Sequence, residues 1–215
     1  MDKNVELISE NVVILANQFN LSIMNQHWLI ENCIILQDDL QDGYTFTPVF
    51  TQVKTKLFSL TIVPERLQID LNPTTENKIE LIKSKLGTIV NKLPHTPFVA
   101  LGFNFAYFLT TEDSSVEKYT RSLFFKPDSP LSSQFDEDNA KFGGYFSKDV
   151  SGFRLKLDIK PVSIKSKDKT MDKIKLDFNF HLDLVGNNKP KTILKYLTKW
   201  NIMENITKDI VKLIK

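Results

Sequence analysis

The stretch Leu57-Phe-Ser-Leu-Thr-Ile-Val-Pro-Glu-Arg-Leu-Gln-Ile-Asp-Leu71 decides the fold class. Phe58, Leu60 and Ile62 alternate with other residues, and after Pro64-Glu65 the alternation resumes with Leu67, Ile69 and Leu71. A period of two interrupted by a proline turn predicts an antiparallel hairpin with one buried face. The period then changes. Asn72-Pro-Thr-Thr75 opens a run in which Ile79, Leu81, Ile82, Leu86, Ile89 and Val90 form an apolar stripe, stopped by Pro94. Thr74 or Thr75 reads as the N-cap of this helix, with Glu76 in its first turn. An alternating hairpin followed by an amphipathic helix predicts an α+β protein whose antiparallel sheet is covered on one face.

Working outward, residues 11–18 read as a buried strand, and Asn25 as the cap of a short helix presenting Trp28 and Leu29. Residues 44–54 read as one strand, pushed toward an edge or a bulge by Pro48. Residues 97–109 form a long aromatic strand. From 110 to 150 the period is lost: residues 111–119 fit one capped helix, and Asp128-Ser-Pro and Gly143-Gly144 punctuate loops. Order returns in 153–160 and 174–184, two alternating runs that predict a second hairpin around a lysine-rich turn at 163–170. Apolar residues from Ile193 to Ile214 then repeat as one terminal helix.

The expected architecture is a single α+β domain over residues 1–215. Its antiparallel sheet is built from two similar strands-then-helix halves, about 10–95 and 96–215, with two long helices packed on one face. An irregular insertion occupies about 110–150. The other sheet face would carry Thr61, Gln68, Asp70, Arg154, Lys156, Asp158, Lys175, Asp177, Asn179 and His181, a docking surface or a solvated face.

Among 215 residues, 41% are hydrophobic and 25% charged, which excludes collagen, wholesale disorder and a disulfide-stapled miniprotein. Sixteen Phe against seven Gly point to a filled sheet core. The one cysteine, Cys33 in Asn32-Cys-Ile-Ile-Leu, reads as a buried, inert thiol and favours a reducing, cytoplasmic setting. No apolar run approaches the roughly 20 residues of a membrane span, and the acidic N-terminus does not read as a signal peptide. The net charge of +2 hides a polarity: residues 154–215 hold 15 basic and 7 acidic residues, so the front of the chain is acidic.

Catalytic constellations are missing from the sequence. His27, His95 and His181 stand far apart, without HxxxH, HExxH or CxxC spacing, so no metal site is expected. GxSxG, Walker and GxGxxG motifs are absent, and no catalytic residue or cofactor is assigned. Phe142-Gly-Gly-Tyr145 is a weak backbone cradle for phosphate. Glu112-Asp113 and Asp136-Glu-Asp138 read as solvated carboxylates rather than a cation site.

Arg66, His95, Arg154, Lys156, Lys175 and His181 are the candidate binding residues. The leading expectation is a non-enzymatic binding or assembly subunit, an oligomer or part of a larger complex, acting through protein–protein contacts without membrane or metal. One alternative is a nucleic-acid-binding module on the basic C-terminal hairpin and helix. Another is an enzyme or small-ligand binder with its pocket between sheet and insertion.

Phe19-Asn-Leu-Ser-Ile23 with Trp28, Val63-Pro-Glu-Arg66, and His95-Thr-Pro97 through Gly102-Phe-Asn104 occur in that order. On these segments residues 11–110 resemble a widespread family of uncharacterised bacterial proteins with an FNxxI element and an HTPxxxxGxN strand. Leu21 stands where that pattern has Pro. The resemblance implies an α+β fold and brings no activity to carry over.

Overall fold

The computed structural model describes residues 4–40, 43–111, 115–166 and 169–214. Among them run β1 (Val5–Ala16), α1 (Gln26–Glu31), β2 (Thr45–Phe46), β3 (Thr51–Lys54), β4 (Phe58–Val63), β5 (Arg66–Leu71) and α2 (Lys78–Lys92). They are followed by β6 (Phe98–Leu109), α3 (Val116–Phe124), β7 (Gly144–Val150), β8 (Phe153–Ser166), β9 (Lys169–Asp183), α4 (Lys189–Leu197) and α5 (Trp200–Leu213). The fold is α+β. Its nine described strands form one antiparallel sheet in the order β2-β3-β4-β5-β1-β6-β9-β8-β7.

The chain resolves into two compact units. Glu10–Asn104 with Phe180–Lys215 makes the helix-covered unit, and Met1–Ser9 with Phe105–Asn179 makes the hairpin unit. In the helix-covered unit the expected hairpin forms with Leu60 opposite Ile69 and Ile62 opposite Leu67. β1 joins β5 with Val12 opposite Ile69 and Ile14 opposite Leu67. These side chains are almost fully buried, together with Ile82, Leu86, Ile89 and Val90 of α2 and Trp200 and Met203 of α5. The rings of Phe103 and Trp200 meet edge to face at 5.4 Å. Burying one large apolar side chain contributes about 1.5–3 kcal/mol, so this stripe-on-face packing is what holds α2 and α5.

Several local expectations are corrected. α2 starts at Lys78, with Asn77 at the cap position and Glu80 in the first turn. Thr75 is instead drawn inward, its hydroxyl donating to the Leu57 carbonyl at 2.6 Å, which ties the helix entry to the hairpin. Residues 44–54 are two strands. Between them the Thr47 amide donates to Phe50 O at 2.8 Å, and Thr47 Oγ1 accepts from the Phe50 amide at 2.9 Å. Pro48 therefore sits inside a tight turn, where its fixed φ is useful.

The terminal helix is also two. Thr198 Oγ1 donates to Lys195 O at 2.7 Å and the Lys199 amide to Tyr196 O at 3.0 Å, ending α4 before Trp200 starts α5. Cys33 is exposed rather than buried, with a left-handed backbone at φ 54°. That reversal follows the end of α1 and sends Ile34 and Ile35, each 1% exposed, into the core in its place. At the other end of α1 the expected cap is present: the Trp28 amide donates to Asn25 Oδ1 at 3.0 Å.

In the hairpin unit β8 and β9 extend beyond the alternating runs, to Ser166 and from Lys169. Phe153, Leu155, Leu157 and Ile159 lie inward, as do Ile174, Leu176 and Phe178. The segment 110–150 is more ordered than its lost period suggested. Ser115 caps α3 by accepting from the Lys118 amide, and residues 144–150 are a strand. α3 lacks a long stripe because it buries only Val116 and Thr120, the latter bonded to Val116 O at 2.9 Å.

Candidate functional site

β7 ends in a turn that fixes everything else about it. Ser151 and Gly152 connect Val150 to Phe153 with φ values of 50° and 91°. Two central residues with positive φ define the type I′ hairpin, whose twist matches that of the flanking strands. In a two-residue hairpin the closing pair, Val150 and Phe153, exchanges both backbone bonds. The register then runs Lys148 with Leu155, Phe146 with Leu157 and Gly144 with Ile159. Antiparallel bonding alternates, so the amides and carbonyls of Tyr145, Ser147 and Asp149 point away from β8. β7 is the last strand in the sheet order, and these groups meet no other described strand.

Two aromatic side chains on this edge are exposed. Phe146 continues the inward row opposite Leu157, yet it is 51% exposed, whereas Leu157 is 5% exposed. Tyr145, on the opposite face beside Asp158, is 64% exposed. The Phe146 ring rests against Phe124 of α3 at 6.2 Å. Phe124 in turn lines a cleft of about 330 Å³ with Leu131, Phe135, Phe142 and Gly143. Leu131 and Phe135 are among the exposed large hydrophobic residues, so the apolar surface continues from the edge strand into the preceding loop.

Two glycines let the loop enter the strand. A Cβ on Gly144 would stand 2.6 Å from Phe124 Cε1 and 2.7 Å from Phe146 Cε2, and one on Gly143 would collide with the Ile159 carbonyl oxygen. Phe142-Gly-Gly-Tyr145 is thus a close-packed strand entry, which replaces the phosphate cradle suggested by its sequence. Arg121 braces the same loop. Its guanidinium lies 4.1 Å from the Phe125 ring centre and 5.3 Å from that of Phe142, pairs with Asp136, and donates to Glu137 O at 3.4 Å.

Of the residues singled out from sequence, Arg154 and Lys156 stand on β8 opposite Asp149 and Ser147 of β7, while Arg66, His95 and His181 belong to the helix-covered unit. Arg66 opens β5, exposed, and donates to Gln68 Oε1. It begins a polar ladder: Gln68 Nε2 donates to Asp70 Oδ1 at 2.6 Å, Asn11 also bonds Asp70, and Asn104 Nδ2 donates to Asn11 Oδ1 at 2.8 Å. Partial burial raises the Asp70 pKa despite the opposing influence of Gln68, Arg66 and Asn11. His95 is exposed in the turn between α2 and β6.

Arg154, Lys156 and Lys175 share the polar face of β8 and β9 in the hairpin unit. Arg154 pairs with Asp149 at 3.1 Å and Lys175 with Asp177 at 2.9 Å, while Lys156 has no ion pair among the described residues. Lys160, next on that face, has its pKa raised by a hydrogen bond to Asp158 and by that carboxylate's charge. His181 belongs to the helix-covered unit and lies 3.0 Å from Asp183. Arg66, His95 and His181 thus belong to one unit and Arg154, Lys156 and Lys175 to the other, and Arg154 and Lys175 already have carboxylate partners.

Sequence reading missed Glu10. It falls in phase with Val12 and Ile14 on the inward face of β1 and is 3% exposed. Lys78 Nζ of α2 lies 2.6 Å from its Oε1 and 3.6 Å from Glu204, which Lys208 also pairs at 2.8 Å. Burial raises the Glu10 pKa, opposed chiefly by Lys78. The available signal was the period itself: extended two residues backward, the strand's inward row includes Glu10.

Glu112-Asp113 lies outside the described residues. Among the described residues no group of three or more His, Cys, Asp or Glu is placed to hold a metal, and no helix is long and apolar enough to cross a membrane. No protein-family model matches the chain, and no curated protein matches it.

Proposed function

We propose that this chain is a non-enzymatic binding or assembly protein that works through protein–protein contacts, with the β7 edge as its contact surface. The observation that carries the reading is the seven-residue edge strand whose outward backbone groups lie beside exposed Tyr145 and Phe146. Unpaired strand edges are templates for added strands, and proteins ordinarily shorten or cover them. The opposite edge, β2, obeys that rule with two residues followed by Pro48.

Other readings find less support. A nucleic-acid face leaves its cations uncommitted to neutralise phosphates, whereas Arg154, Lys160 and Lys175 are each committed to a carboxylate. An enzyme site gathers perturbed ionisable groups in a cleft, and Glu10 and Asp70 do not line the cleft beside Phe124. The exposed Cys33 thiol fits a reducing, cytoplasmic setting, and the N-terminal resemblance fits a bacterial one. The repeated strands-then-helix order fits a duplicated unit.

Cross-linking in the native host with the intact chain and a Ser147→Pro variant tests the proposal. The Ser147 amide points outward, so this proline removes a contact donor and leaves the β7–β8 backbone bonds in place, losing on that side only the side-chain bond from Ser147 Oγ to Leu155 O at 3.1 Å. Cross-linked species, to itself or to another protein, that vanish in the variant are expected. Species indifferent to the variant, or none at all, would overturn the reading.

A further inference from the structure

We infer that the strand seated on the β7 edge is the β7 of a second copy of this chain, paired antiparallel across a two-fold axis. The inference rests on the proposal that this edge is a contact surface, and it names the occupant. Only Tyr145, Ser147 and Asp149 present outward amides and carbonyls, so self-pairing must join these residues among themselves. The register using the whole strand sets Ser147 against Ser147 of the other copy and Tyr145 against its Asp149.

Every side-chain pair in that register is compatible. Phe146 meets Lys148 of the other copy, whose methylene stem and ammonium can lie on the ring. Gly144, without a side chain, faces Val150. The Tyr145 hydroxyl reaches toward the Asp149 carboxylate. A lysine on an exposed edge ordinarily deters pairing; here it has an aromatic seat.

Slippage is discouraged. Centring the pair on Asp149 sets like charges face to face, and centring it on Tyr145 leaves Ser147, Lys148, Asp149 and Val150 without a partner in the other β7. A strand with its anion and its aromatic at mirror positions is complementary to itself when reversed. Because the opposite sheet edge is only two residues long, such pairing closes at a dimer and does not propagate.

Sedimentation equilibrium of the full chain tests this, with circular dichroism to verify folding. The intact chain is expected to show a concentration-dependent monomer–dimer equilibrium. Tyr145→Asp places a carboxylate opposite Asp149 twice per dimer and should raise the dimer's dissociation constant about tenfold, while Tyr145→Lys should keep or tighten the dimer. Ser147→Pro should abolish it.

If Ser147→Pro fails to fold, the opposite responses of the two Tyr145 variants decide the matter. A chain that stays monomeric at about 1 mM overturns the inference, and so does a dimer that ignores the charge at position 145. A monomer that nonetheless cross-links to a different host protein through the edge removes the second copy while leaving the contact surface. A monomer without any edge-dependent partner removes both.

Discussion

Lys78 Nζ lies 2.6 Å from Glu10 Oε1, an ion pair between the first turn of α2 and the inward face of β1. Glu10 is nearly inaccessible, whereas the Lys78 side chain retains 17% of its exposure. The pair pins one helix to one strand beneath a small charged cluster, in which Lys78 also lies 3.6 Å from Glu204 and Lys208 pairs with Glu204 at 2.8 Å. Removing the cation leaves a buried carboxylate, so Lys78→Met should destabilise the protein by about 3 kcal/mol. Glu10→Gln, which removes the charge and keeps the shape, should cost about 1 kcal/mol or less. Urea unfolding curves check both values, and equal losses would show that the pairing is not what matters.

The same carboxylate should imprint a pH dependence. Burial raises its pKa in the folded state, so the folded protein binds this proton more tightly than the unfolded chain does. Its contribution is most favourable below the ordinary glutamate value and is lost as pH rises through the folded value. Glu204, Lys78 and Lys208 face it and set how far that value moves. Asp70 carries the same sign for the same reason, burial. As pH rises from mildly acidic to neutral, the stability of Glu10→Gln and of Asp70→Asn relative to wild type should each increase, measured by chemical denaturation across pH. A relative stability that stays flat or falls as pH rises would contradict the assignment.

The double glycine at the start of β7 should tolerate no side chain. Gly143→Ala drives a Cβ into the Ile159 carbonyl, a backbone atom held in the ladder, while Gly144→Ala meets ring atoms of Phe124 and Phe146 that can shift. Both should destabilise by about 1–3 kcal/mol, with Gly143→Ala the worse. Thermal melts give the ranking, and a neutral Gly143→Ala would mean that the strand entry is loose.

α1 has six residues and buries Leu29 alone, so its cap should matter. Asn25→Ala removes the acceptor for the Trp28 amide and should cost about 1 kcal/mol, whereas Asn25→Asp should be nearly neutral. Hydrogen exchange at the Trp28 amide reads this locally. Unchanged protection in the alanine variant would deny the cap its role.

Much of the fold was legible where burial is one-sided. In β4, β5, β8 and β9 each residue is either inward or outward, so alternation in the chain is alternation in space, and α2 shows its stripe for the same reason. β6 is buried on both faces and still read as a strand, because its aromatic run is bounded by Pro97. The insertion was less legible. α3 buries two side chains, and β7, an edge strand with both faces largely exposed, has no apolar row to display. Half of the sixteen phenylalanines are core. Others, such as Phe124, Phe135, Phe142 and Phe146, gather around the insertion, where composition alone could not put them.

The candidate residues show the same division. Arg154, Lys156 and Lys175 are legible as outward strand positions, because the period of two assigns faces without knowledge of the neighbours. Whether those charges are available depends on Asp149 and Asp177, and an open edge exists only once all nine strands have been ordered. Local periodicity is a property of adjacent residues and is written in the chain. Strand order, ion pairing across elements and the burial of Glu10 beneath α2 and α5 arise between segments far apart in sequence. The opening hairpin, residues 57–71, therefore established the class of fold from its own alternation, while the surface proposed to act, residues 144–150, became visible only as the last strand of an assembled sheet.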